Sequence, residues 1–144
     1  MIIRNATIND SEQIFNLAKE FATSFLPEKV AFEKSFAELL KEDSVSLNVA
    51  VIDDKIIGYC LVFDHYTFYA NGRVSWVEEI MVQEKYRKGG VGKELMTSAE
   101  KWAKDRQSKL ISLATRRAAP FYRAIGYEQS ALFFRKLINQ KENR

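Results

Sequence analysis

The sequence predicts an α+β fold, and three observations carry that prediction. Short apolar runs of strand length give way to apolar residues at helical spacing and back again along the chain. Two strand-like runs, 46–52 and 55–64, flank Asp53-Asp54 at hairpin spacing, which requires antiparallel pairing. A third run ends at Ile80-Met81-Val82 and leads through a glycine-rich turn into an amphipathic helix. About four helices follow from that order. At 144 residues the chain suits one domain, read here as 1–138 with a polar tail at 139–144.

The elements read as follows. Ile2 to Ala6 is a first strand. Asn9 is placed to cap the helix after it, with Glu12 three residues on to complete a capping box. Ile14, Leu17, Ala18, Phe21 and Phe25 share one face of that helix. Pro27 interrupts, and a second helix carries Val30, Phe32, Phe36, Leu39 and Leu40. Gly58, inside the second hairpin strand, marks a bulge or a close approach of backbone. His65, the only histidine, stands among Tyr66, Phe68 and Tyr69, where a structural or exposed role is the expectation.

Arg73 to Val82 is the strand that enters the glycine turn. Val91, Leu95, Met96, Ala99, Trp102 and Ala103 then form one face of a helix ending near Arg106. Lys109 to Thr115 is another strand. Ala118, Phe121, Tyr122 and Ile125 make a short helix, in which Pro120 is tolerable only in the first turn. Gly126 suits the position just past its end. Tyr127 to Arg135 is expected to supply the last strand or strands.

Bulk composition narrows the function classes. A net charge of +3 is too small to argue for nucleic acid. One cysteine, Cys60, allows no internal disulfide and suits a reducing cytoplasm. One histidine and one cysteine argue against a zinc site, so no metal is expected. The longest apolar runs have strand length, well short of a membrane span, and Met1-Ile2-Ile3-Arg4 does not begin like a signal peptide.

The turn Glu84-Lys85-Tyr86-Arg87-Lys88-Gly89-Gly90-Val91-Gly92-Lys93 carries the chemistry. A glycine-rich turn opening a helix leaves backbone N–H groups unpaired at the positive end of the helix dipole, a cradle for phosphate. A P-loop would need Ser or Thr after Gly92-Lys93 and a glycine where Arg87 stands, but Glu94 follows instead. A dinucleotide fingerprint would need a third glycine where Leu95 stands. Neither nucleotide reading survives its own residues.

What remains, Arg87-x-x-Gly90-x-Gly92, resembles the acyl-CoA-binding motif of the GNAT superfamily of N-acetyltransferases. A second segment, Thr115-x-x-Ala118-x-x-Phe121-Tyr122-x-x-x-Gly126-Tyr127, is similar to the family's later helix, tyrosine and Gly-aromatic turn. Both occur in the family's order, and the resemblance runs from Ile2 to about Lys136. It implies an α/β/α layered fold whose mixed, mostly antiparallel sheet has a splayed central strand. It also implies transfer of acetyl from acetyl-CoA to a primary amine, by direct attack in a ternary complex.

The same resemblance assigns roles. Backbone amides of Lys88, Gly89, Gly90, Val91, Gly92 and Lys93 would wrap the pyrophosphate, with Arg87 and Lys88 adding charge. Ile80, Met81 and Val82 would offer backbone contacts to pantetheine. Tyr122 stands at the position of the general acid toward the leaving thiolate, although a core tyrosine would look the same. A phenol of pKa about 10 is protonated at neutral pH and can donate to a thiolate of pKa about 8.5. Glu79 is the preferred base, with Glu78 on the opposite face of the strand as the alternative. Thr115 replaces the asparagine common in the family, which weakens that cofactor contact. Arg116, Arg117 and Arg123 could meet coenzyme A phosphates or stand in solvent. The acceptor, a small-molecule or peptide amine, stays open, and the family pattern allows a homodimer. The rival reading is a non-catalytic acyl-CoA sensor or interaction module.

Overall fold

The computed structural model describes residues 1–21 and 25–139, so the polar tail beyond Asn139 lies outside the described residues. The chain divides into two compact units, Met1–Leu113 and Ala114–Arg144. The first holds strands β1 (Ile2–Asn5), β2 (Val45–Ile52), β3 (Lys55–Thr67), β4 (Gly72–Val82) and β5 (Ile111–Leu113). Its helices are α1 (Ser11–Phe21), α2 (Lys29–Lys41) and α3 (Val91–Asp105). The second holds α4 (Ala119–Ala124). No helix among the described residues is long and apolar enough to cross a membrane.

The strands form one sheet in the order β1-β2-β3-β4-β5. The first three pairings are antiparallel, and β5 runs parallel to β4. Asp53 and Asp54 make the β2–β3 turn at φ +50° and +61°, the left-handed pair that a two-residue hairpin requires. β3 is buried from Ile56 to Val62, so both of its faces are covered. On one face Tyr59, Leu61 and Met81 pack with Ile14, Leu17 and Phe36 of α1 and α2. On the other, α3 lays down Leu95, Met96 and Ala99, all fully buried. A Cβ on Gly58 would meet the Met81 carbonyl oxygen at 2.8 Å and Leu95 Cδ1 at 3.3 Å. The glycine therefore lets β4 and α3 close onto β3, and a register shift lies beside it, between Ala50 and Val51.

Several expectations need correction. The first helix is preceded by a 3₁₀ turn, Ile8–Asp10, whose N-cap is Thr7 and not Asn9, with Asp10 rather than Glu12 as the acidic partner of the capping box. Asp10 Oδ2 accepts the Thr7 N–H at 2.7 Å while Arg4 donates to both carboxylate oxygens at 2.7 and 3.0 Å. Asp10, not Asn9, takes this part because its carboxylate meets the Thr7 N–H while the Arg4 guanidinium holds it in place. Phe21, Phe25, Val30 and Leu40, expected on buried faces, are exposed.

The strand expected over Lys109 to Thr115 is cut to three residues, and Tyr127 to Arg135 forms no strand. The first shortening has a local cause. β3 and β4 pair Leu61 with Glu79 but Val62 with Val77, so Glu78 is an extra, bulged residue. β5 pairs with β4 over Ser75, Trp76 and Val77 and ends at the bulge, while just before it Lys109 N–H and the Leu110 carbonyl still bond the Arg73 carbonyl and Ser75 N–H. The run Leu132-Phe133-Phe134 has strand propensity, but its side chains are exposed, and β propensity reflects a half-buried, packed surface more than the backbone itself.

Candidate active site

The bulge at Glu78 creates the first half of the site. Beyond Val77, β4 continues to Val82 with no strand of the described residues on its outer side. Gln83 N–H donates to the Ile57 carbonyl at 2.8 Å, which sets the alternation of the antiparallel pair. Counting back, the N–H and C=O groups of Ile80 and Val82 point away from β3, whereas those of Met81 point toward it. Met81 is buried in the α1/α2 core, and Ile80 and Val82 are half-buried. The outer edge is thus a short row of backbone donors and acceptors.

The turn after β4 supplies the second half. A 3₁₀ turn, Glu84–Tyr86, leads to Lys88 at φ +66° and Gly90 at φ +88°, two left-handed residues that swing the chain into α3. Gly90 is the residue before the helix, and its carbonyl accepts the Glu94 N–H at 3.0 Å. A Cβ on Gly90 would meet nothing within 4 Å, so glycine is needed there for its backbone angle and leaves the space open. The N–H groups of Lys88, Gly89, Gly90, Val91, Gly92 and Lys93 donate to no acceptor among the described residues. Val91 is buried as the first core residue of α3, whereas Lys88, Gly89, Gly90 and Lys93 are exposed. The donors at the helix N-terminus are therefore held in place from below and open above.

Arg87 is engaged within the protein. Its Nε donates to the Val82 carbonyl at 2.9 Å, and its Nη2 lies 3.8 Å from Met81 Sδ. The side chain ties the turn to the end of β4, a contact that the charge reading of the sequence missed.

The bulge also alters the two carboxylates. It places Glu79 opposite Leu61, on the α1/α2 face, and Glu78 accepts from Trp76 Nε1 at 2.7 Å. Trp76 pairs with Phe63, which packs against the same core, so Glu78 and Glu79 emerge on one side of the sheet and not on opposite sides. Glu79 is half-buried, and its Oε1 accepts the Tyr59 hydroxyl at 2.6 Å. Tyr59 is itself buried, and burial with the adjacent Glu79 charge pushes its phenol far above the ordinary range. It is a permanent donor. Cys60, next to it, is buried and its thiol is pushed up to about 12 by that burial.

Within the second unit, Tyr122 is buried on α4 between Phe121, at a ring distance of 5.0 Å, and Tyr127, at 5.8 Å. Gly126 takes φ +98° just past the helix. Its N–H reaches the Arg123 carbonyl at 3.1 Å, and Tyr127 N–H reaches the Tyr122 carbonyl at 2.9 Å. That is a Schellman motif, complete with the apolar contact between Tyr127 and Tyr122 that accompanies it. Pro120 sits in the first turn, as expected. The exposed Thr115 hydroxyl accepts the Ala118 N–H at 3.0 Å, closing the turn before α4. Arg116, Arg117 and Arg123 are exposed.

The acetyltransferase (GNAT) family model matches residues 11–127. A curated relative, aminoalkylphosphonate N-acetyltransferase of Salmonella typhimurium, is 26% identical over 140 residues, covering 94% of this chain and 90% of the relative. Among solved structures, a transcriptional regulator from Bacillus halodurans is 25% identical with a TM-score of 0.84 over 95% of this chain and 99% of that one. Glucosamine-6-phosphate N-acetyltransferase from Arabidopsis thaliana, 19% identical, gives 0.85 over 96% and 98% and speaks for the fold. A family match across most of the chain places this protein in the GNAT family of acetyltransferases.

Proposed function

We propose that this protein transfers an acetyl group from acetyl-CoA to a primary amine by direct attack in a ternary complex. The observation that supports this most is the run of undonated amides from Lys88 to Lys93, adjoining the uncovered edge of β4. Amides left free at a helix N-terminus suit a pyrophosphate, and the space beside Gly90 is open. When bound, acetyl-CoA supplies the thioester acyl group that the amine attacks. The amide and carbonyl of Ile80 and the N–H of Val82, whose carbonyl Arg87 already occupies, would offer the edge contacts, and an outward N–H of that edge would stabilise negative charge growing on the carbonyl oxygen. Arg87 would hold the turn against β4, and Lys88 would add charge. Thr115 would contribute only what its hydroxyl can spare from Ala118.

Glu79 would take the proton of the incoming ammonium, because an amine of pKa about 10.4 is almost fully charged at neutral pH. Tyr122 would donate to the departing thiolate. Cys60 is an unsuitable nucleophile: it is buried, and its thiol stays protonated at working pH. Direct transfer is the simpler course. We read 1–138 as one catalytic domain, since the family match runs across the boundary between the two units, and the single cysteine suits a reducing cytoplasm.

The test is thiol release from acetyl-CoA over a panel of amines. The panel begins with an aminoalkylphosphonate and glucosamine 6-phosphate, acceptors named for relatives, and continues with antibiotic amines, lysine peptides and peptide N-termini. Amine-dependent release that falls about 10²-fold or more in Tyr122→Phe is the expected result. Tight binding of acetyl-CoA with no release for any acceptor would favour the sensor reading. Absence of binding would overturn both.

A further inference from the structure

We infer that Tyr59 is a positioning residue for the catalytic carboxylate, holding Glu79 through Oε1 so that Oε2 faces the acceptor amine. The inference rests on the reading of Glu79 as the base. Its warrant is geometric. Tyr59 comes from the central strand β3 and is 2% exposed, so its hydroxyl has one fixed direction. That hydroxyl lies 2.6 Å from Glu79 Oε1, across the β3–β4 ladder and one residue past the bulge. A glutamate side chain has three rotatable bonds, and a half-buried one without an anchor would sample several rotamers. A single strong donor to one oxygen removes most of that freedom and leaves the other oxygen unoccupied by it.

Glu79 has no competing side-chain anchor among the described residues. Glu78, its neighbour at the bulge, is held by Trp76. The charged side chains of α1, the helix over this face, are Glu12, Lys19 and Glu20, and all are exposed. Asp10, just before α1, is committed to Arg4. The opposing view is that a buried tyrosine needs some partner for its hydroxyl and Glu79 merely provides one.

A double-mutant cycle separates the two. Tyr59→Phe keeps the ring and should lower kcat about 10- to 100-fold, the value of one hydrogen bond to a charged group, with KM for acetyl-CoA unchanged. In a Glu79→Gln background the same change should cost less than about twofold, since there is no longer a carboxylate to aim. A merely structural tyrosine would cost the same in both backgrounds, or nothing in either, and each of those results overturns the inference. Full activity in Glu79→Gln alone would remove the base reading and this inference with it. Should Tyr59→Phe fail to accumulate folded, Glu79→Gln is compared with the double variant, which removes both partners of the contact. Equal kcat is then expected, and a lower kcat in the double variant overturns the inference.

Discussion

Gly90 and Gly126 make a matched pair with opposite consequences. Both are left-handed, at φ +88° and +98°, and a Cβ on either would meet nothing within 4 Å. Gly90 precedes α3, where the next N–H groups have no carbonyl behind them, and so it leaves donors open. Gly126 follows α4, where the same backbone angle turns the chain back and lets the N–H groups of Gly126 and Tyr127 close the last carbonyls. One glycine exposes backbone to a ligand. The other uses backbone to hold a ring, because the closed turn packs Tyr127 on Tyr122. A glycine in a motif thus has no fixed meaning until the end of the helix it serves is known.

The largest expected separation comes from replacing each glycine in turn. Gly90→Ala and Gly126→Ala should each lose about 1–2 kcal/mol of stability, the cost of a left-handed Cβ. Only Gly90→Ala should raise KM for acetyl-CoA, by about tenfold, as the cradle shifts. Gly126→Ala should leave that KM within about twofold and lower kcat through Tyr122. Asparagine tolerates this backbone region, so Gly126→Asn should recover part of the stability. A tenfold rise in KM for Gly126→Ala would break the comparison.

A smaller effect tests how the open turn is braced. If Arg87 works through its bond to the Val82 carbonyl, Arg87→Lys should behave like Arg87→Ala, each raising KM for acetyl-CoA about three- to tenfold, because lysine lacks the Nε donor. If its charge on the ligand is what matters, lysine should retain near-normal affinity. Steady-state kinetics of the two variants decide between brace and charge.

The difference between the two motifs explains what could be read from the sequence. The hairpin at Asp53-Asp54, the buried face of α3 and the glycine positions were legible because each is set by residues within a few positions of one another. The Glu78 bulge was not, since a bulge is a property of register between strands, and it moved Glu78 to the side of the sheet that Glu79 occupies. Tyr59 was missed for the same reason: nothing near it in sequence signals a carboxylate 20 residues away. The only cue was a tyrosine amid the apolar residues of a central strand, a hydroxyl that must find a partner. Arg87 was read as charge because a sequence shows a residue's type and not where its side chain turns. The last strand failed because propensity in Leu132-Phe133-Phe134 says nothing about whether a partner edge is offered.

The start of α1 sharpens the contrast with α3, and it carries the smallest predicted effect. Here a side chain closes the N-terminus: Asp10 accepts the Thr7 N–H and is clasped by Arg4. The Arg4 hydrogen bonds hold the Asp10 carboxyl below the usual aspartate range, against the opposing effect of its burial. A carboxyl with a lowered folded-state pKa contributes its full stability above the unfolded value, near pH 4. That contribution fades as pH falls below 4 toward the lowered folded value. Asp10→Asn should therefore cost about 1–2 kcal/mol at neutral pH, the worth of a cap with a partly exposed ion pair. The deficit should shrink on acidification, because the native protein loses under acid what the variant already lacks. Urea unfolding of both proteins from pH 7 down to pH 3 reads the convergence directly. A deficit that stays constant with pH would mean that Asp10 caps as a neutral acceptor does, without help from Arg4. KM for acetyl-CoA should not change in this variant, since the helix end that Asp10 closes is not the one left open.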